Sequence, residues 1–130
     1  MQTKQLRLTE EHGCRISDVR FPFKPAEVFK RCASMSVIFP AFNEEANIKR
    51  TVEAAVRVLP KVATSWEILI VDDGSRDATS AICGDLKTRY PEVVVMRHEQ
   101  NRGYGAALKS GIMAAKHNLI FFSDSDGQFD

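Results

Sequence analysis

Asp124-Ser125-Asp126-Gly127-Gln128 sets three oxygen-bearing side chains at alternate positions, directly after the apolar run Leu119-Ile120-Phe121-Phe122. A short apolar run of this kind reads as a buried strand. Two carboxylates one residue apart at the end of such a strand repel each other, and each raises the other's pKa. A divalent cation removes the conflict. Mg²⁺ and Mn²⁺ are hard ions that take carboxylate and amide oxygens and commonly keep waters or phosphate oxygens as further ligands. On this reading Asp126 and Gln128 are the direct ligands, and Asp124 reaches a ribose, or the metal through water. The plain alternative is an Asp-rich turn. The pattern predicts half of a metal–diphosphate site.

Three other polar clusters carry candidate chemistry. In Asp72-Asp73-Gly74-Ser75-Arg76-Asp77 the glycine permits a tight turn, and Ser75 or Asp77 can satisfy helix amides. A capped turn does not account for the paired aspartates. A carboxylate there can accept from a nucleobase N–H or a ribose hydroxyl, and it would repel a phosphate. In Phe39-Pro40-Ala41-Phe42-Asn43-Glu44-Glu45, Phe42 can pack on a base, while Glu44 can meet a ribose or simply favour a helix dipole. Asn101-Arg102-Gly103-Tyr104-Gly105 is a poor match to a dinucleotide fingerprint, because the third glycine is missing and the segment does not follow the first strand. Its glycines serve a close backbone approach or a helix start. Arg102 and Lys109 are solvated surface positions within reach of phosphates.

The elements that must position these clusters alternate. Ser36-Val37-Ile38-Phe39 predicts a strand stopped by Pro40. Asn43 is the expected cap of a helix through Ile48, Val52, Ala55, Val56 and Leu59 that Pro60 ends. Trp66 to Val71 is the second strand. Asp77 caps a helix carrying Ile82 and Leu86 that closes near Tyr90-Pro91. Val93 to Met96 is the third strand, a helix runs through Leu108, Ile112 and Ala115, and Leu119 to Ser123 is the fourth strand. Continuous apolar strands alternating with helices predict an α/β fold, a Rossmann-like parallel sheet with helices on both faces. Ligands of such sheets bind beyond the carboxyl ends of the strands, and every cluster above falls at such an end. Residues 1–34 read as a partly ordered N-terminal extension broken by Phe21-Pro22-Phe23-Lys24-Pro25, with a short helix over 25–32. Residues 35–130 form the domain.

Composition narrows the classes. The 130 residues support one domain with a modest core, and a formal net charge of +1 gives no electrostatic case for nucleic acid. No apolar stretch approaches the roughly 18 residues of a membrane span. Cys14, Cys32 and Cys83 form neither a zinc pattern nor a disulfide framework; Cys83 reads as a small core residue. A polar N-terminus without a signal-like apolar core points to the cytoplasm.

Ser36-Val37-Ile38-Phe39-Pro40-Ala41-Phe42-Asn43-Glu44, Ile70-Val71-Asp72-Asp73-Gly74-Ser75-Arg76-Asp77, Asn101-Arg102-Gly103-Tyr104-Gly105 and Asp124-Ser125-Asp126-Gly127-Gln128, in this order, resemble the family-two glycosyltransferases. Among them the likeness is to the polyprenyl-phosphate sugar transferases of the dolichol-phosphate mannosyltransferase type. The resemblance implies a GT-A fold, of which this chain is the nucleotide-binding half. It implies an inverting transfer from a UDP- or GDP-sugar to a polyprenyl-phosphate or glycan acceptor, with Mg²⁺ or Mn²⁺ bound through a DxD motif. The setting it implies is the cytoplasm or the inner face of a membrane. By position, Pro40, Phe42 and Glu44 would line the nucleoside pocket. Phe42 stands where the family often has tyrosine, so stacking is kept without the hydroxyl. Val71 and Asp73 would contact the base, with Asp72 supporting the turn. Asp124, Ser125 and Asp126 would hold ribose and metal, with Asp124, Asp126 and Gln128 as the metal set.

Family members continue well beyond the DxD motif. The acceptor site, any catalytic base and the basic residues gripping the diphosphate are therefore expected beyond Asp130, and no catalytic residue is assigned within this sequence. The expectation is a truncated N-terminal part, with a donor site, little or no transferase activity alone and a sheet edge prone to aggregation. Two other readings compete. Ile120 to Gly127 resembles the nucleophile motif of haloacid-dehalogenase-type phosphatases, but Gln128 stands where threonine is usual. The other is a non-catalytic nucleotide- or partner-binding fragment with residues 1–34 as an interaction arm.

Overall fold

The structure is a computed structural model and describes residues 5–7 and 32–124. In chain order the elements are β1 (Gln5–Arg7), β2 (Cys32–Ala41), α1 (Ile48–Val62), β3 (Ala63–Asp72), α2 (Thr79–Arg89), β4 (Val93–Arg97), α3 (Tyr104–Ala114) and β5 (Ile120–Phe122). They form one sheet in the order β1-β5-β2-β3-β4. Strands β2 to β5 are mutually parallel, as the alternating pattern required. β1 runs antiparallel along the outer side of β5. Its three residues are too few to show a period, and pairing with an open sheet edge selects the strand. The expected short helix over 25–32 lies outside the described residues apart from Cys32, which already belongs to β2.

Side chains alternate across the sheet with period two. Val37, Phe39, Ile68 and Ile70 pack with Ile48, Val52, Leu59, Cys83 and Leu86 in the core under α1 and α2. Ile38, Leu69 and Val71 pack with Ala107 and the partly buried Leu108 and Ile112 under α3. Helices thus cover both faces. The chain moves outward from β2 to β3 to β4, then returns by α3 to place β5 on the other side of β2. The order reverses between β2 and β5, the position where open α/β sheets form a crevice.

Pro40 sharpens that crevice. β2 does not stop there but continues to Ala41, because Ala41 faces β3 and its carbonyl accepts from Asp73 N at 2.8 Å. Even-numbered residues of β2 face β5: Ser36 N donates to Leu119 O, and Ser123 N donates to Ile38 O. The next bond of that ladder would need an N–H at residue 40, which proline lacks. The described β2–β5 pairing accordingly runs to Ile38 and Phe122, with the Ser123 N bond to Ile38 O at that end.

Helix α1 also runs past its expected end, through Pro60 to Val62. Pro60 forfeits one helical N–H bond, and the burial of Leu59 and Val62 keeps that turn packed despite the loss. At the entry to β5, the buried carboxylate of Glu67 accepts from Ser36 Oγ and from Lys116 N, both at 2.7 Å, tying the segment after α3 to the sheet. Close approach of α3 is set by Gly111, where an added Cβ would lie 2.5 Å from Cγ2 of the fully buried Ile38. Gly111→Ala gains about 1 kcal/mol of helix propensity and incurs about 1–3 kcal/mol of overpacking. Urea denaturation should show a net loss of up to about 2 kcal/mol, with favourable coupling to Ile38→Ala in a double-mutant cycle.

Candidate functional site

The adjacent aspartates at the end of β3 diverge because a strand sends neighbouring side chains to opposite faces. Asp72 turns toward α2 and Asp73 toward α3. Across the parallel register Asp72 meets Arg97, and the ladder continues as His98 N donates to Asp72 O, so Asp73 meets His98. Asp72 is fully buried; its Oδ2 takes Arg97 Nη1 at 2.7 Å and its Oδ1 takes Ser75 N at 2.9 Å. Arg97 Nη2 also donates to Ser75 O. This is the turn-supporting role the sequence suggests. Nearby, burial first and the Asp72 charge second push the Cys83 thiol up to about 12, so this core cysteine stays protonated.

Asp73 is engaged on the other face. Its Oδ1 lies 2.7 Å from His98 Nδ1 and accepts Arg102 N at 2.9 Å, while Oδ2 accepts Gly103 N at 2.9 Å. Burial alone would raise its pKa; the Arg102 N–H, His98, the Gly103 N–H and the His98 charge outweigh that and hold the carboxyl below its ordinary value. His98 Nε2 in turn lies 2.8 Å from Ser110 Oγ on α3.

The β2–α1 and β3–α2 loops are pinned to each other. Asn43 N donates to Ser75 Oγ and Arg76 N to Asn43 Oδ1, both at 2.9 Å. Glu44 N donates to Thr79 Oγ1 at 2.8 Å and Glu45 N to Asp77 Oδ2 at 3.3 Å. Asn43 is thus not the cap of α1, which begins at Ile48 behind Asn47. It adopts φ +52, a left-handed conformation that asparagine tolerates better than most residues, and its side chain bridges loops instead. Asp77 does serve its helix start, accepting Thr79 N at 2.9 Å.

The remaining sequence candidates distribute around the crevice. Pro40 is buried at the end of β2, Phe42 is 42% exposed just beyond it, and Glu44 is half-buried in the next loop. Val71 is fully buried in the core under α3. Asp124 lies past the end of β5 beside Tyr104; partial burial first and the neighbouring Asp124 carboxylate second push the tyrosine up to about 12. Ser125, Asp126 and Gln128 lie outside the described residues. Among the described residues no three His, Cys, Asp or Glu side chains gather at one point, so Asp124 is the one described member of the proposed metal set. Its carboxylate is a hard oxygen donor suited to Mg²⁺ or Mn²⁺.

The two acidic strand ends lie beside consecutive residues: Asp73 accepts from Gly103 N–H, and the Asp124 carboxylate is near enough to Tyr104 to raise its pKa. Sequence reasoning missed Arg97, His98, Ser110 and Tyr104. A signal for the first two was present, since β4 ends in Arg-His as β3 ends in Asp-Asp, and equal offsets in adjacent parallel strands make cross-strand pairs.

The family model for glycosyl transferase family 2 matches residues 36–130. A dolichyl-phosphate beta-glucosyltransferase of Trichomonas vaginalis is 31% identical over 116 residues, covering 84% of this chain and 34% of that protein. The chain thus spans about a third of the length of the curated relatives it matches. Among solved structures, S. aureus TarS 1-349 in complex with UDP-GlcNAc superposes with a TM-score of 0.63 at 29% identity, over 72% of this chain and 26% of that one. Glucosyl-3-phosphoglycerate synthase from Mycobacterium tuberculosis, with Mn²⁺, UDP and phosphoglyceric acid, gives 0.58 at 26% identity, over 72% and 33%.

Proposed function

Because the chain belongs to glycosyl transferase family 2, we propose that residues 35–130 form the nucleotide-sugar-binding portion of an inverting glycosyltransferase. The single observation that carries this reading is the convergence of Asp73 and Asp124 on consecutive residues, Gly103 and Tyr104. A scattered set of acidic turns would have no reason to meet. The nucleoside enters at the carboxyl ends of β2 and β5, where the strand order reverses. Phe42 packs on the base beside Pro40. Asp73 and Glu44 accept from base N–H or ribose hydroxyl groups. Asp124 and Ser125 face the ribose, and Asp124, Asp126 and Gln128 would hold Mg²⁺ or Mn²⁺. When bound, that ion supplies charge neutralisation for the departing nucleoside diphosphate.

The acceptor forms its bond to the anomeric carbon from the face opposite the leaving diphosphate, whose bond to that carbon breaks with inversion. The dolichyl-phosphate names of the curated relatives favour a polyprenyl phosphate as acceptor over a glycan hydroxyl. A phosphate oxygen is already anionic and needs no general base, whereas a hydroxyl would. Such an acceptor would bring the enzyme to a membrane surface, though no described helix is itself long and apolar enough to cross one.

Calorimetric titration with UDP, GDP and their sugars, with and without Mn²⁺, tests the reading. Binding of one nucleotide that strengthens at least about tenfold with Mn²⁺ is the expected result. Absence of nucleotide binding with the metal present would sink it and favour an interaction role instead.

A further inference from the structure

We propose that His98, anchored by Ser110, is a positioning residue that fixes which oxygen of Asp73 is offered to the nucleoside. The inference rests on the reading of Asp73 as a nucleoside acceptor. An ionised carboxylate only accepts, so the 2.7 Å contact requires the proton on His98 Nδ1. Nε2 lies 2.8 Å from Ser110 Oγ, a hydroxyl that can either donate or accept, so the ring is tied at that end as well. The ring is 8% exposed and held at both ends.

The consequence falls on Asp73. A carboxylate oxygen accepts about two hydrogen bonds. Oδ1 is filled by His98 and Arg102 N, whereas Oδ2 receives Gly103 N and keeps one acceptor position. His98 therefore prevents the carboxylate from turning its open oxygen inward. Ser110 and Gly103 both lie at or in α3, so Asp73, His98 and the helix form a closed ring of contacts. The order Asp-His-Ser matches that of a hydrolase triad, but Ser110 sits inside a helix. The backbone N–H groups around it belong to the helical ladder of α3 and do not form an oxyanion site. Positioning is the role this geometry supports.

Asparagine places its amide nitrogen near the position of Nδ1, and glutamine places its own near Nε2. His98→Asn thus keeps a donor for Asp73, and His98→Gln keeps the reach to Ser110 but loses that donor. Calorimetry with UDP and GDP in Mn²⁺ is run alongside thermal unfolding, at a temperature where each variant is folded. His98→Asn should bind within about threefold of the native chain and His98→Gln at least about tenfold more weakly. A purely structural residue would shift Tm in both and leave the two affinities equal; equal affinities overturn the proposal. If His98→Gln does not fold, Ser110→Ala carries the test. That variant should weaken binding about threefold with the ring still present, and unchanged affinity overturns the proposal. Failure of the native chain to bind any nucleotide would instead sink the reading of the site itself.

Discussion

Asp73→Ala is expected to cost about 3–5 kcal/mol, a large share of the roughly 5–15 kcal/mol that holds a domain together. The carboxylate is buried, and its removal leaves His98 Nδ1–H, Arg102 N–H and Gly103 N–H without their acceptor. Unpaired buried donors carry their full desolvation penalty. Asp73→Asn keeps one accepting oxygen and should lose less. The pH dependence separates charge from shape. The folded carboxyl sits below its ordinary value of 3.8, since the Arg102, His98 and Gly103 donors overcome the burial that would raise it. Its stabilising contribution is therefore complete above the unfolded value and drains away as pH falls through the lower, folded one. Urea unfolding at steps from about pH 6 to about pH 2 should show this decline in the native chain and a flatter profile in Asp73→Asn. Parallel profiles would mean that these three donors do not hold Asp73 in its charged form.

Gly74→Ala is the second large effect. Gly74 has φ +76, which alone costs a side chain about 1 kcal/mol. An added Cβ would also lie 2.6 Å from Asn101 N and from the carbonyl carbon of Gln100, and 2.9 Å from Gln100 Cα. These are backbone atoms and cannot swing aside, so the whole segment entering α3 must move. That segment carries the N–H groups of Arg102 and Gly103 that hold Asp73. A total loss of about 3 kcal/mol is expected, with weaker nucleotide binding. Gly103 is the internal control: it has φ +98 but open space around its Cβ position, so Gly103→Ala carries strain without collision. Denaturant titration giving Gly74→Ala a loss of only about 1 kcal/mol, as its φ alone would produce, would refute the close approach as the cause.

The sheet was legible because β2 to β5 are apolar runs between helical periods, and the clusters at their ends could be located without coordinates. Boundaries set by single residues were not. Pro40 and Pro60 read as stops, yet β2 continues to Ala41 through its bond to β3, and α1 continues to Val62 because burial of Leu59 and Val62 outweighs the helical bond lost at Pro60. Asn43 read as a cap because asparagine commonly caps, but its tertiary partners, Ser75 and Arg76, lie more than thirty residues away. Asp72 and Asp73 read as a like-charged pair that a capped turn could not explain. Strand alternation gives each a basic neighbour from the end of β4 on a separate face. The sequence holds that relation only once the register of β3 and β4 is known.

The stapled loops bear on how the protein reaches its native state. The contacts joining Asn43 to Ser75, Glu44 to Thr79, Asp72 to Arg97 and Asp73 to Gly103 each close a long chain segment, and none can form within a single helix or hairpin. Such distant closures exact their entropy before returning any binding energy, so they belong late in folding. A collapsed chain with its helices already wound would still lack a pocket. Any small molecule recognised there engages the finished fold alone, and its presence shifts the population toward that state by mass action.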